Sequence, residues 1–102
     1  MPRLTGGQAI VKSLREQGVD VVFGLPGVQL DQLFNALHDE SNSIRLVHPR
    51  HEQAAAYMAF GYAQSTGRVG TYAVVPGPGL LNTTAALSTA YACNTPVLAL
   101  TG

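Results

Sequence analysis

The sequence predicts an α/β domain: a doubly wound parallel sheet with helices on both faces, in the alternating order αβαβαβαβ. Three observations carry this expectation. Short runs rich in β-branched and apolar residues alternate with stretches of helical character along all 102 residues. The connections between successive runs are about helix-sized, the length that a parallel crossover needs. The first such run, Val19–Gly24, is nearly all apolar, as a strand buried on both faces should be.

Each element follows from a local signal. Thr5 precedes Ala9, Ile10 and Leu14 at helical spacing and Gly18 follows, so a capped helix is predicted over about 6–17. Leu25-Pro26-Gly27 turns the chain out of the first strand. Leu30, Leu33, Phe34 and Leu37 recur at i, i+3, i+4 and i+7, giving a second helix over 29–39. After the polar Glu40–Ser43 connection, Ile44–Val47 reads as a strand, ended by His48-Pro49. Strong helix formers predict a third helix from His51 to Ser65, closing at Gly67. Thr71–Val75 is the third strand and Pro76-Gly77-Pro78-Gly79 a rigid loop. Leu80–Cys93 reads as one continuous fourth helix, and Pro96–Leu100 as the fourth strand.

Composition removes several function classes. The hydrophobic fraction is 46%, and six Lys+Arg balance six Asp+Glu, so the basic footprint of a nucleic-acid binder is missing. No apolar run approaches the ~18 residues of a membrane span, and Met1–Val11 has no signal-peptide pattern. A single Cys, Cys93, cannot form an internal disulfide, and it reads as a buried small hydrophobe; the cytoplasm is the expected compartment. Eleven of the twelve charged side chains lie in residues 3–52, and the rest of the chain carries only Arg68. So uncharged a half points to burial against other domains or subunits, or to an Ala-rich core half with Thr, Ser and Asn at its surface. A parallel sheet cut just after a strand leaves an open edge, so the expectation is the first part of a larger multidomain chain.

Ligands of open α/β sheets bind beyond the carboxyl ends of the strands, which narrows the chemistry to three loops. Gly77-Pro78-Gly79-Leu80-Leu81-Asn82 approaches the dinucleotide fingerprint, yet Asn82 replaces the third glycine and no Asp or Glu follows. It reads either as a plain strand-to-helix turn or as a stiff loop that lets a flat ring approach the backbone. Glu52 is the only carboxylate after Glu40. It is either an ordinary acid at a helix start or, in apolar surroundings, a carboxyl with raised pKa that exchanges a proton with a ligand. His48 and His51 make a poor ligand set, and no metal site is expected. Serine-hydrolase and P-loop patterns are missing.

Three segments in register resemble the thiamine diphosphate-dependent enzymes, in the acetolactate synthase, pyruvate oxidase and benzoylformate decarboxylase group. They are Gly24-Leu25-Pro26-Gly27, Arg50-His51-Glu52-Gln53-Ala54-Ala55-Ala56, and Pro76-Gly77-Pro78-Gly79 with Asn82. The resemblance spans residues 1–102 and implies most of a pyrimidine-binding domain, with the diphosphate-binding domain absent. It implies that Glu52 hydrogen-bonds N1′ of the aminopyrimidine and promotes the imino tautomer. That tautomer deprotonates the thiazolium for attack on a 2-keto acid. Pro26, Gly27, Pro78, Gly79 and Asn82 are implied to contact the cofactor, with Glu52 the catalytic residue.

The same resemblance implies Mg²⁺ held by ligands outside this segment, so that the segment alone is inactive. It also implies a homodimer or homotetramer with the active site at the subunit interface, against which Ala55, Ala59 and Ala63 would pack. FAD stays open, with no residue here supporting it. Val28, after Pro26-Gly27, leans towards carboligation rather than simple decarboxylation. A separate subunit needing a partner chain, or a non-catalytic interaction domain of the same fold, are the alternatives.

Overall fold

The structure, a computed structural model, describes residues 3–102. Helix α1 (Gly6–Glu16) leads to β1 (Val21–Gly24), a single 3₁₀ turn (Val28–Leu30) and α2 (Asp31–Asp39). Then follow β2 (Arg45–Val47), α3 (Glu52–Thr66), β3 (Gly70–Val74), α4 (Pro78–Leu81), α5 (Thr84–Ala92) and β4 (Val97–Thr101). The four strands form one all-parallel sheet in the order β2-β1-β3-β4. The predicted α/β class and its alternation hold, with one amendment: the last crossover contains two helices.

Local chemistry explains the boundaries. Thr5 and Gln8 form a reciprocal capping box at the start of α1, at 3.1 and 2.9 Å. At its end, Gly18 takes φ +83, and the amides of Gly18 and Val19 return to the carbonyls of Arg15 and Leu14. That pair of bonds satisfies carbonyls the helix leaves free and turns the chain into β1. Helix α3 starts at His51, whose Nδ1 accepts the Gln53 amide at 3.0 Å, and stops at Gly67 with φ +73.

The sheet divides two cores. On one face, Val11 and Leu14 of α1 and Leu33, Ala36 and Leu37 of α2 pack with Leu30, Ile44, Val22 and Ala73. On the other, Ala55, Ala56 and Ala59 of α3 and Ala86 of α5 pack with Tyr72 and Val74. Successive residues of β3 thus serve opposite faces, as the period of two requires. All five residues of β3 are buried.

Three expectations change here. The expected continuous helix 80–93 is two helices: α4 begins at Pro78, inside the segment read as a rigid loop, and the chain breaks at Asn82-Thr83. Proline suits the first turn of a helix, where its missing N–H costs nothing. The Ala55, Ala59 and Ala63 stripe is not free for a partner, because it is buried within this chain. A Cβ on Gly70 would overlap the Ala59 carbonyl, so α3 rests directly on the β3 backbone. Cys93 is exposed rather than buried, because it terminates α5 where the chain turns away from the core.

The exposed apolar side chains of the second half are others, among them Tyr57, Met58, Leu81 and Tyr91. Arg68 lies at the amino end of the sheet, donating to Asp20 Oδ2 at 3.2 Å and to the Gly18 carbonyl, while the Tyr62 hydroxyl donates to Asp20 Oδ1 at 2.8 Å. Among the described residues, no helix is long and apolar enough to cross a membrane.

Candidate active site

Because all strands are parallel, the turns after β1, β2 and β3 emerge on the same side of the sheet. Gly77 adopts φ +69 as the chain leaves β3, a conformation favouring glycine, and Pro78 then opens α4. The extended His51 delivers Glu52 as the first residue of α3, where the free amides and the helix dipole favour a negative charge.

Val75 joins the first and third loops. A Cβ at Gly79 would lie 2.6 Å from Val75 Cγ2, and one at Gly27 would overlap Val75 Cγ1. Both glycines are therefore required by contact with one valine side chain, which folds the two loops against each other. The same Cβ on Gly79 would stand 3.7 Å from Glu52 Cγ and Oε2, so the buried Gly79 backbone borders the carboxylate.

Asn82, in the break between α4 and α5, donates from Nδ2 to Glu52 Oε1 at 3.1 Å. Among the described residues, no side chain donates to Oε2. The Asn82 amide, the backbone amide of Glu52 itself and the nearby His51 hold the carboxyl below its ordinary range, while partial burial opposes them less strongly. Of the two readings of Glu52, an ordinary acid at a helix start or a carboxyl with raised pKa, the second is not met: the Asn82 amide outweighs the desolvation of a partly buried group. Glu52 is an ionised carboxylate at neutral pH.

Of the six residues singled out by sequence, the structure sets Gly27 and Gly79 against Val75, and Gly79 and Asn82 beside Glu52. Pro26 and Pro78 stand exposed in the same two loops. Val75, which organises the loops, was read only as the end of a strand; its β-branched character gave no further signal. Among the described residues, no group of three or more His, Cys, Asp or Glu is placed to hold a metal ion, and His48 and His51 form no such cluster.

Residues 4–102 match the family described as thiamine pyrophosphate enzyme, N-terminal TPP binding domain. The acetolactate synthase large subunit of Haemophilus influenzae is 42% identical over 102 residues, covering 100% of this chain and 18% of that protein. An acetolactate synthase of Mycobacterium bovis is 45% identical over the same length, 16% of that protein. A probable 2-ketoarginine decarboxylase of Pseudomonas aeruginosa is 46% identical over 95 residues, 93% of this chain and 17% of that protein. The chain thus spans 16–18% of the length of these relatives. By the match over residues 4–102, and consistently with its fold, the chain belongs to the thiamine pyrophosphate enzyme family, as an N-terminal TPP-binding domain.

Proposed function

We propose that the chain is the pyrimidine-binding portion of an acetolactate synthase-like enzyme that joins or cleaves C–C bonds next to the carbonyl of 2-keto acids. The observation that carries this reading is Glu52: an ionised carboxylate at the ligand end of the sheet, aimed by Asn82, with Oε2 uncommitted to another side chain. The residues present fit an aminopyrimidine. Its ring nitrogen needs a carboxylate partner, and its flat face needs a backbone wall without a Cβ, which Gly79 offers beside Glu52.

When bound, thiamine diphosphate supplies the thiazolium that accepts electrons as the bond to the carbonyl carbon breaks or forms. This chain's residues bind and orient its pyrimidine. Glu52 holds a proton at, or releases one from, the ring nitrogen through Oε2, while Asn82 fixes the other oxygen. Gly27 and Gly79, packed on Val75, form the loop walls, with the exposed Pro26 and Pro78 at their rims.

Mg²⁺ and the diphosphate are held, in this reading, by residues outside 1–102, in a homodimer or homotetramer of the complete cytoplasmic enzyme, so the segment alone is inactive. The exposed Tyr57, Met58, Leu81 and Tyr91 are the surface we assign to that assembly. Replacing Glu52 with Gln in the assembled enzyme is expected to lower turnover by about 10²-fold or more, with an unchanged circular dichroism spectrum. Unaltered turnover would reject the reading.

A further inference from the structure

The sheet face beneath α3 and α5 is lined mostly by Ala and Val, yet two hydroxyls are sealed inside it. Tyr72 on β3 and Thr83 between α4 and α5 are both 0% exposed. Hydroxyls in such a place are unfavourable unless bonded, and these two oxygens lie 2.8 Å apart. Thr83 has one hydroxyl hydrogen, and it goes to the Leu80 carbonyl at 2.7 Å, so Tyr72 is the donor to Thr83. The Thr83 amide also returns to the Leu80 carbonyl, at 2.9 Å.

These bonds tie off the turn Leu80–Thr83, in a stretch with neither Gly nor Pro to interrupt a helix. Asn82 and Thr83 stay in the right-handed region, but with ψ at −14 and −4 and with the Thr83 amide bonded three residues back instead of four, so the regular α-helix is interrupted there. A helix carried straight from Pro78 to Ala92 would give Asn82 another heading. Phe and Val would fill the same core volume, so apolar packing alone does not call for the hydroxyl pair.

We propose that Tyr72 and Thr83 are positioning residues for Glu52: their buried hydrogen bond fixes the break between α4 and α5 and thereby aims the Asn82 amide at the carboxylate. The consequence for catalysis rests on the function proposed above. Losing the Asn82 bond lets Glu52 keep its proton to higher pH, because that bond stabilises the charged form. The groups facing Glu52 are Gly79 of α4 and Asn82 after it, neither of which titrates, and His51 before it, the one titratable neighbour acting on its charge.

The test is the double variant Tyr72→Phe/Thr83→Val in the complete enzyme. It removes both partners without leaving an orphan, a change that is nearly neutral for stability. We expect a folded protein with unchanged KM for the 2-keto acid, kcat lowered about tenfold, and the acid limb of the kcat profile moved to higher pH. In the cofactor-free protein, the ¹³C carboxyl signal of Glu52 should titrate at higher pH by the same displacement. Asn82→Ala should reproduce that displacement and add nothing to it in the triple variant. Tyr72→Phe alone serves the same test if the double variant folds poorly.

A folded variant with the parent's acid limb and Glu52 titration would overturn the inference, as would a further displacement on adding Asn82→Ala. Glu52→Gln separates the two levels. If that variant stays active, the functional reading fails, while the titration still decides the positioning role.

Discussion

The two faces of one sheet are packed by opposite strategies. Under α1 and α2 the core is built of large aliphatic side chains, Val11, Leu14, Leu30, Leu33, Leu37 and Ile44, which fill the space between helix and strand. Under α3 and α5 it is built of Ala55, Ala56, Ala59 and Ala86 against Tyr72 and Val74, and the backbones themselves come together at Gly70. A leucine can change rotamer to absorb a shift; an alanine has no rotamer to change. The difference teaches where the fold tolerates adjustment. The helix whose first residue is Glu52 is seated on the face that does not adjust, and Asn82 leads into the second helix of that face.

The largest effect should come from breaking the close approach. Gly70→Ala places a Cβ on the Ala59 carbonyl, and because the carbonyl is backbone and the Cβ has no rotamer to escape it, we expect a loss above about 4 kcal/mol, read as a collapse of the denaturation midpoint. The matching change on the other face is Leu37→Ala, at a residue 1% exposed, expected to cost about 2–5 kcal/mol. Leu37→Met should restore most of that stability, whereas no residue larger than glycine should be tolerated at position 70. Equal tolerance at the two sites would dissolve the contrast.

The smallest effect concerns the polar tie between the halves. Asp20 accepts hydrogen bonds from Tyr62 and Arg68, and the Tyr62 hydroxyl is the larger influence holding its carboxyl below the ordinary value. A depressed carboxyl contributes stability that is present above its unfolded value, near 3.8, and is lost as pH falls through the lower folded value. Asp20→Asn should therefore lower Tm slightly at neutral pH and flatten the loss of stability on acidification below the ordinary carboxylate range. Asp20 and Arg68 are half-exposed or more, so the expected cost is below about 1 kcal/mol. A Tm difference from the parent that stays constant from pH 7 to pH 3 would deny Asp20 that role.

Most of the fold was legible because its signals are local. Val21–Gly24 is β-branched and apolar, Thr5 and Gly18 bracket α1, and Gly67 ends α3, each by a rule that needs no neighbour. The break at Asn82-Thr83 was not legible, since helix formers lie on both sides and the interruption comes from Tyr72, eleven positions away. Which of the two readings of Glu52 holds was not legible for the same reason. The sequence shows its apolar surroundings but not the amide thirty positions distant that offsets them. The family resemblance grouped Asn82 with Glu52 at the cofactor, whereas only tertiary structure pairs the two side chains directly.

The caps of α1 and α3 carry a last consequence. The threonine that closes α1 has oxygen lone pairs to offer in any ordinary buffer. The imidazole that closes α3 accepts the Gln53 amide with Nδ1, which selects a single neutral tautomer, with hydrogen on Nε2. In that tautomer Nδ1 carries the ring's one acceptor lone pair, and the helix holds it. The first turn of α3, and the carboxylate it carries, is therefore tied to one ring orientation of the adjoining side chain, a constraint that the hydroxyl-capped helix on the opposite face lacks.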